Sequence, residues 1–175
     1  MNKVTLKYQK FDGSWSNKVD REIFGGAQVS AVLPYDPINK KIVLIKQFRP
    51  GTMLKGGENN YLYEIVGGII DTGEDPKETA KRECIEETGC KIIKLTTIQS
   101  YYPAPGSSES YYYLYLGEVN APNEEIIKGL ETENEDILVK SYSYAEVKKK
   151  MENKEILNGM ALIALQWFFL NIERS

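Results

Sequence analysis

The spacing of apolar residues changes repeatedly along the chain, and each change marks an element. Val4-Thr-Leu-Lys-Tyr-Gln-Lys10 and the stretch from Trp15 to Phe24 have β-type composition and flank the turn pair Asp12-Gly13, which predicts a hairpin and a small N-terminal sheet. Two denser apolar runs, Gln28 to Tyr35 and Lys41 to Arg49, read as strands joined by the turn-forming Asp36-Pro-Ile-Asn-Lys40. Gly51 to Asn60 is a polar, Gly-rich connection; Tyr61-Leu-Tyr-Glu-Ile-Val66 is the next strand, ending at Gly67-Gly68. Asp75-Pro76 opens a helix over Pro76 to Thr88, because proline suits the first turn, and Gly89 closes it. Strands follow at Lys91 to Tyr101 and Tyr111 to Val119, then an acidic stretch from Asn120 to Asp136 and a short strand over Ile137 to Ser141. Helices are predicted at Tyr144 to Glu152 and Asn158 to Asn171. This order has no strict βαβ rhythm, so the expected class is α+β, or mixed α/β, rather than a doubly wound sheet.

With 175 residues, 42% of them hydrophobic, the chain suits one domain with a substantial core. The expected division is an N-terminal β segment over 1–24 and a main domain over 25–175. The longest apolar run, Met160 to Leu170, falls well short of the roughly 20 residues of a bilayer span, so no membrane partner is expected. Nothing at the N-terminus resembles a secretory h-region, which points to a cytoplasmic protein.

Composition then narrows the chemistry. Cys84 and Cys90 have no histidine anywhere in the chain to complete a zinc site, so they read as buried thiols. The absence of histidine leaves Asp and Glu as the candidates for acid/base work near neutral pH. A net charge of −3, with lysines dispersed or gathered at Lys148-Lys149-Lys150 without interleaved aromatics, argues against a polynucleotide partner. A small phosphate-containing ligand remains compatible with an acidic protein if metal ions supply the countercharge.

The predicted helix over 76–88 carries Glu83, Glu86 and Glu87 at i, i+3 and i+4, so all three carboxylates lie on one side, with Ala80, Cys84 and Ile85 opposite. Taken alone, such a face also describes an ordinary solvated acidic helix. The wider pattern Gly68-x5-Glu74-x7-Arg82-Glu83-Cys84-x-Glu86-Glu87-x-Gly89-Cys90 resembles the Nudix box at each of its fixed positions. That resemblance implies a mixed sheet sandwiched between helices and hydrolysis of a nucleoside diphosphate linked to another moiety. The residue types suit the chemistry: carboxylates on a rigid helix hold hard cations that neutralise a diphosphate and acidify water. Mg²⁺ is the expected cofactor, with Mn²⁺ a possible substitute and roughly two to three ions per site. Arg82 and Glu74 read as supports that orient the acids.

Beyond the box the chain looks most like bacterial ADP-ribose pyrophosphatases. Arg21-Glu22-Ile23-Phe24, Val43-Leu-Ile-Lys-Gln-Phe-Arg49, Ala104-Pro105-Gly106, the run Gly129 to Ile137 and Ile163-Ala-Leu-Gln-Trp167 carry the likeness. It implies Glu133 as general base, acting with Glu83, Glu86 and Glu87, and Gly67, Glu83, Glu87 and Glu135 as metal ligands. It assigns substrate contacts to Arg21, Glu22, Arg49, Ile69, Pro105, Gly106 and Glu109, with Tyr101, Tyr102 and Phe48 as further lining candidates. Two readings stay open in that loop, since the family's glutamate stands five residues after the proline, whereas here Glu109 stands at four and Ser110 at five. The implied substrate is a nucleoside-diphosphate sugar, ADP-ribose first, and the implied assembly is a homodimer in which Arg21 reaches the substrate across the interface. GDP-mannose or another nucleotide sugar is the alternative substrate, and a catalytically silent nucleotide-sugar-binding domain is a second alternative. Taken without the box, Arg49 would be a surface ion-pair partner, and 131–136 an acidic loop.

Overall fold

Alternation along the central strands places two cores on opposite faces of one sheet. The structure, a computed structural model, describes residues 1–56, 60–129 and 135–173. Ala31 and Leu33, Ile42 and Leu44, and Leu114 and Leu116 face one core, while Val32, Val43, Ile45 and Tyr115 face the other. Strands covered on both sides read as continuous apolar runs, which is how β3 (Gln28–Asp36), β4 (Lys41–Phe48) and β8 (Tyr111–Glu118) appear in the sequence.

The main sheet runs β7 (Lys94–Tyr101), β8, β3, β4, β10 (Ile137–Ser143), β9 (Ile126–Lys128), with β8 and β3 parallel. Strands β3 and β4 pair only at Tyr35–Ile42 and Asp36–Lys41 and then diverge. The gap is filled by β5 (Tyr61–Glu64), paired with β4, and β6 (Val66–Ile69), paired with β3. The single strand expected over 61–66 is therefore two, bent at Ile65 where the chain changes partner. The expected end at Gly67-Gly68 is also corrected, because both glycines lie inside β6, opposite Ala31 and Ser30. Local patterning could not reveal this, since the change of partner at Ile65 is a matter of long-range pairing.

Helix α1 (Pro76–Thr88) covers one face through Ala80 and Cys84. It starts where Asp75 accepts a hydrogen bond from the Lys77 amide, and stops at Gly89, whose φ of 73° suits glycine. Helices α2 (Tyr144–Glu152) and α3 (Gly159–Asn171) cover the other face through Val147, Ala161, Leu165 and Phe168. Ser143 and Glu146 form a capping box on α2, and Asn158 caps α3 through the Ala161 amide. Among the described residues no helix is long and apolar enough to cross a membrane.

Strands β1 (Asn2–Leu6) and β2 (Val19–Ile23) form a separate two-stranded antiparallel sheet. The expected hairpin is present with Asp12-Gly13 at its tip, where the Asp12 carboxylate accepts from the Ser14 amide and hydroxyl. Its paired segments are shorter than expected, and Gln9–Trp15 adds one isolated bridge. Part of the connection expected over 51–60 is a 3₁₀ helix, Pro50–Lys55. Strand β9 lies within the stretch expected to be irregular.

Candidate active site

The bend between β5 and β6 brings three parts of the chain together: the end of β4, the two glycines and the acidic side of α1. A cavity of about 560 Å³ is lined at one end by Arg49, Glu64, Gly67 and Gly68, with the α1 acids packed against the two glycines, and elsewhere by Val29, Leu62, Ile69, Tyr101, Pro103 and Tyr112. The first turn of α3 closes it with Asn158, Gly159 and Met160, and Ile163 follows. One end is charged and the other apolar and aromatic, a division that suits a ligand with a phosphate part and a flatter, less polar part.

Glu87 projects from α1 into the buried layer and is only 4% exposed. Its carboxylate accepts from the Gly67 amide at 3.3 Å. Burial, then the neighbouring charge of Glu83, pushes its carboxyl up to about 8; the Gly67 hydrogen bond works the other way, and Glu135 adds to the rise. Glu83 is also raised, first by burial, with contributions from Glu86 and Glu135. Glu83, Glu87 and Glu135 therefore share one electrostatic neighbourhood, together with Arg49. Packing explains Gly68: a Cβ there would fall 1.9 Å from the Glu83 carboxylate oxygen. Gly67 is less constrained, with the Ala31 side chain and Met160 at 3.2 Å from an added Cβ.

Arg82 ties the loop before α1 to the helix. It donates to Glu74 at 3.0 and 3.1 Å, to Glu83 at 2.8 Å and to Glu86 at 2.9 Å. Its guanidinium is stabilised in the charged form by these acids, and the Glu74 carboxyl is held at about 2, chiefly by Arg82. Three glutamates crowded on one helix face are thus partly neutralised from within.

Buried acids that raise one another's carboxyl pKa fit a hard divalent cation, which would replace mutual repulsion with attraction. Among the described residues no three acids stand close enough to form a finished ligand cluster. Carboxylates that are paired with Arg82 or a backbone amide would have to turn toward an ion.

Other expected site residues are placed as follows. Arg49 lines the cavity in a forked ion pair with Glu64, so its partner is a buried carboxylate in the cavity wall rather than a surface group. Ile69 lines the cavity at the end of β6, and Tyr101 does so as well, whereas Tyr102 and Phe48 do not. Pro105 and Gly106 form an exposed turn beyond Pro103. Glu109 is exposed, while the Ser110 hydroxyl is engaged with Ser108 at 2.9 Å and its backbone packs on Gly26 too closely for a Cβ there. Arg21 and Glu22 lie exposed on β2, and within one chain they do not line the cavity. Glu133 lies outside the described residues. Glu135 receives a hydrogen bond from Gln47 Nε2 at 3.3 Å.

Sequence reasoning passed over Glu64, Gln47, Tyr112 and the start of α3. Glu64 did leave a signal, as an isolated polar residue inside an apolar strand run, where a side chain must find a partner, whereas Gln47, beside Lys46, left none.

Comparison with known proteins bears on the family and the fold. The NUDIX domain model matches residues 26–160. The chain is 35% identical to the ADP-ribose pyrophosphatase of Escherichia coli (strain K12) over 166 residues, covering 95% of this chain and 79% of that protein. It is 28% identical to the GDP-mannose pyrophosphatase of Shigella flexneri over 147 residues, covering 84% of this chain and 76% of the other. A crystal structure of an ADP compounds hydrolase superposes with a TM-score of 0.74 at 20% identity, over 98% of this chain and 86% of that one, which shows the shared fold. A family model spanning most of the chain, and the box glutamates set on a helix against a divided sheet, make this protein a member of the NUDIX family.

Proposed function

We propose that this chain is a pyrophosphohydrolase that splits the diphosphate of a nucleoside-diphosphate sugar, with ADP-ribose the first substrate, giving AMP and ribose 5-phosphate. One observation carries the reading: Arg49, Gly67 and Gly68 line one end of a cavity whose remaining wall is apolar and aromatic, and Glu87 and Glu83 of α1 pack directly against those two glycines. The 35% identity to an ADP-ribose pyrophosphatase along nearly the whole chain supports the choice of substrate. Divalent-metal dependence is general in the family, and Mg²⁺ is the proposed ion, because the available donors are carboxylate and carbonyl oxygens.

Glu83, Glu87, Glu135 and the Gly67 carbonyl would hold roughly two to three ions, and Glu86 supports them through Arg82. The bound metal supplies charge neutralisation and a more acidic water. Glu133 accepts the proton of the attacking water, whose oxygen bonds to one phosphorus as the bond from that phosphorus to the bridging oxygen breaks. Arg49 steadies the diphosphate; Glu64 occupies its Nε and Nη2, which fixes the guanidinium plane and leaves Nη1 for phosphate oxygens. Ile69 borders the substrate, and Pro105, Gly106 and Glu109 contact it from their loop.

Homodimerisation belongs to the same reading. The segment over 1–24 is the part proposed to exchange between subunits, and it exposes Tyr8, Phe11, Trp15 and Phe24, aromatic surface that a second copy would cover. A partner is also what would bring Arg21 and Glu22 to a cavity they do not reach in one chain. Static light scattering tests this, and a monomeric mass would remove the cross-subunit role of Arg21.

The deciding experiment incubates the protein with Mg²⁺ and ADP-ribose, GDP-mannose, UDP-glucose, NADH or diadenosine polyphosphates, with chromatographic resolution of products. AMP released preferentially from ADP-ribose is expected. Selective cleavage of GDP-mannose, which the Shigella relative makes the specific alternative, would keep the chemistry and change the substrate. Turnover of none would point to a silent nucleotide-sugar-binding domain. Glu133→Gln should depress turnover about 10²-fold or more with substrate binding nearly intact, and unchanged turnover would refute its role as base.

A further inference from the structure

Among the described residues, Gln47 is the one near this site with a buried side-chain atom whose hydrogen bonding is left incomplete. It sits on β4 opposite Ile137 of β10 and Leu62 of β5, on the face that Ile45 turns toward α1. Its Nε2 donates to Glu135 Oε1 at 3.3 Å. Its Oε1 is the one buried side-chain nitrogen or oxygen among the described residues that has no hydrogen-bond partner. Turning the amide over would not help, because it would set the amide oxygen against a carboxylate oxygen. Glu135 therefore fixes the orientation of Gln47, and the acceptor beside that contact is left without a donor. A buried acceptor without a donor costs stability, and leucine or methionine would fill similar space without that cost.

The surroundings say what a donor there would belong to. Glu135 raises the carboxyl pKa of both Glu83 and Glu87, so the group Gln47 holds is part of the acidic cluster. Gly129, with a φ of 115°, packs so closely on Glu135 that a Cβ would lie 2.7 Å from its Cβ and its carbonyl oxygen. Glu135 is thus fixed on one side by backbone packing and on another by the Gln47 amide.

We infer that Gln47 is a positioning residue for the metal centre: Nε2 orients Glu135, and Oε1 accepts a hydrogen bond from a water of the hydrated divalent cation. This rests on the proposed metal-dependent function and adds a residue outside the Nudix box to it. An amide is suited to the task because it donates to a carboxylate and accepts from water at once, which neither a carboxylate nor an ammonium can do. Ligand-orienting residues of this kind typically alter metal affinity by about 10–100-fold when removed.

The test is Mn²⁺ or Mg²⁺ titration of the full chain by calorimetry, without substrate, alongside thermal unfolding in EDTA. Gln47→Leu should weaken metal affinity about tenfold or more while leaving the metal-free Tm unchanged or higher. Gln47→Met, unbranched and of similar length, serves as the second variant if leucine packs poorly. Unchanged metal affinity would overturn the proposal and leave the proposed function standing. So would a metal-free Tm that falls in step with affinity, since that marks a packing role. Failure of the unaltered chain to bind either ion would overturn the metal reading itself, and the Gln47 role with it.

Discussion

Arg49, just after β4, and Glu64 of the neighbouring β5 form a forked ion pair, with Nη2 2.7 Å from Oε2 and Nε 3.0 Å from Oε1. The carboxylate is 1% exposed and the arginine side chain 44%, so the two ends of the pair are not equivalent. Removing the arginine strands a buried charge, whereas removing the carboxylate leaves a cation that water still reaches. Arg49→Ala should destabilise the fold by roughly 2–4 kcal/mol and lower kcat/KM about 10²-fold. Glu64→Gln should cost less stability and mainly raise KM, because Arg49 loses its fixed plane. Equal losses of stability in both variants, measured by urea unfolding, would contradict this asymmetry.

Gly68→Ala tests the contact between β6 and α1. The added Cβ would overlap the Glu83 carboxylate, which is the far end of a flexible side chain and can swing away. The fold should survive with a change in stability of about 1 kcal/mol or less, while a carboxylate displaced by about 1 Å should lower turnover on the order of 10²-fold. Near-normal turnover with an intact fold would show that Glu83 need not stand where it does.

Acid should loosen the tie between the loop and α1. The Glu74 carboxyl is held at about 2, against an ordinary value of 4.5, chiefly by Arg82 with help from Thr79. A depressed carboxylate stabilises the fold fully above its unfolded value, and that contribution fades as pH falls from about 4.5 to about 2. Glu74→Gln should therefore be less stable than the unaltered chain near neutral pH, with the difference shrinking as pH falls through that window. Thermal unfolding against pH measures it, and parallel curves would refute the assignment.

Phe168 is fully buried and contacts the rings of Tyr35, Tyr144 and Phe169, pinning α3 to the sheet. Phe168→Ala should cost about 3–5 kcal/mol. Because the first turn of α3 lines the cavity, KM should rise at temperatures where the variant remains folded. A loss of stability below 1 kcal/mol would mean that the site collapses around the gap.

Much of this protein was legible in order of residues. Asp75-Pro76 and Gly89 bounded α1, Asn158 marked the start of α3, and apolar runs of β-type composition between turn residues located the strands, because capping and turn chemistry are local properties. The spacing of Glu83, Glu86 and Glu87 put the acids on one side of a helix for the same reason.

Local properties could not show where β3 and β4 part. That divergence depends on the segment from Tyr61 to Ile69 entering between them and changing partners at Ile65, a matter of long-range pairing. Only that insertion places Gly68 under Glu83, Gly67 against Glu87 and Glu64 beside Arg49. Gln47, too, looks like any polar residue in a strand until Glu135 is brought to it from far along the chain. Sequence determined which residues could carry the chemistry, since side-chain type and helical spacing are written in order. Tertiary structure decided which are buried, which share a charge and which stand apart, because burial and distance arise only when remote segments pack together.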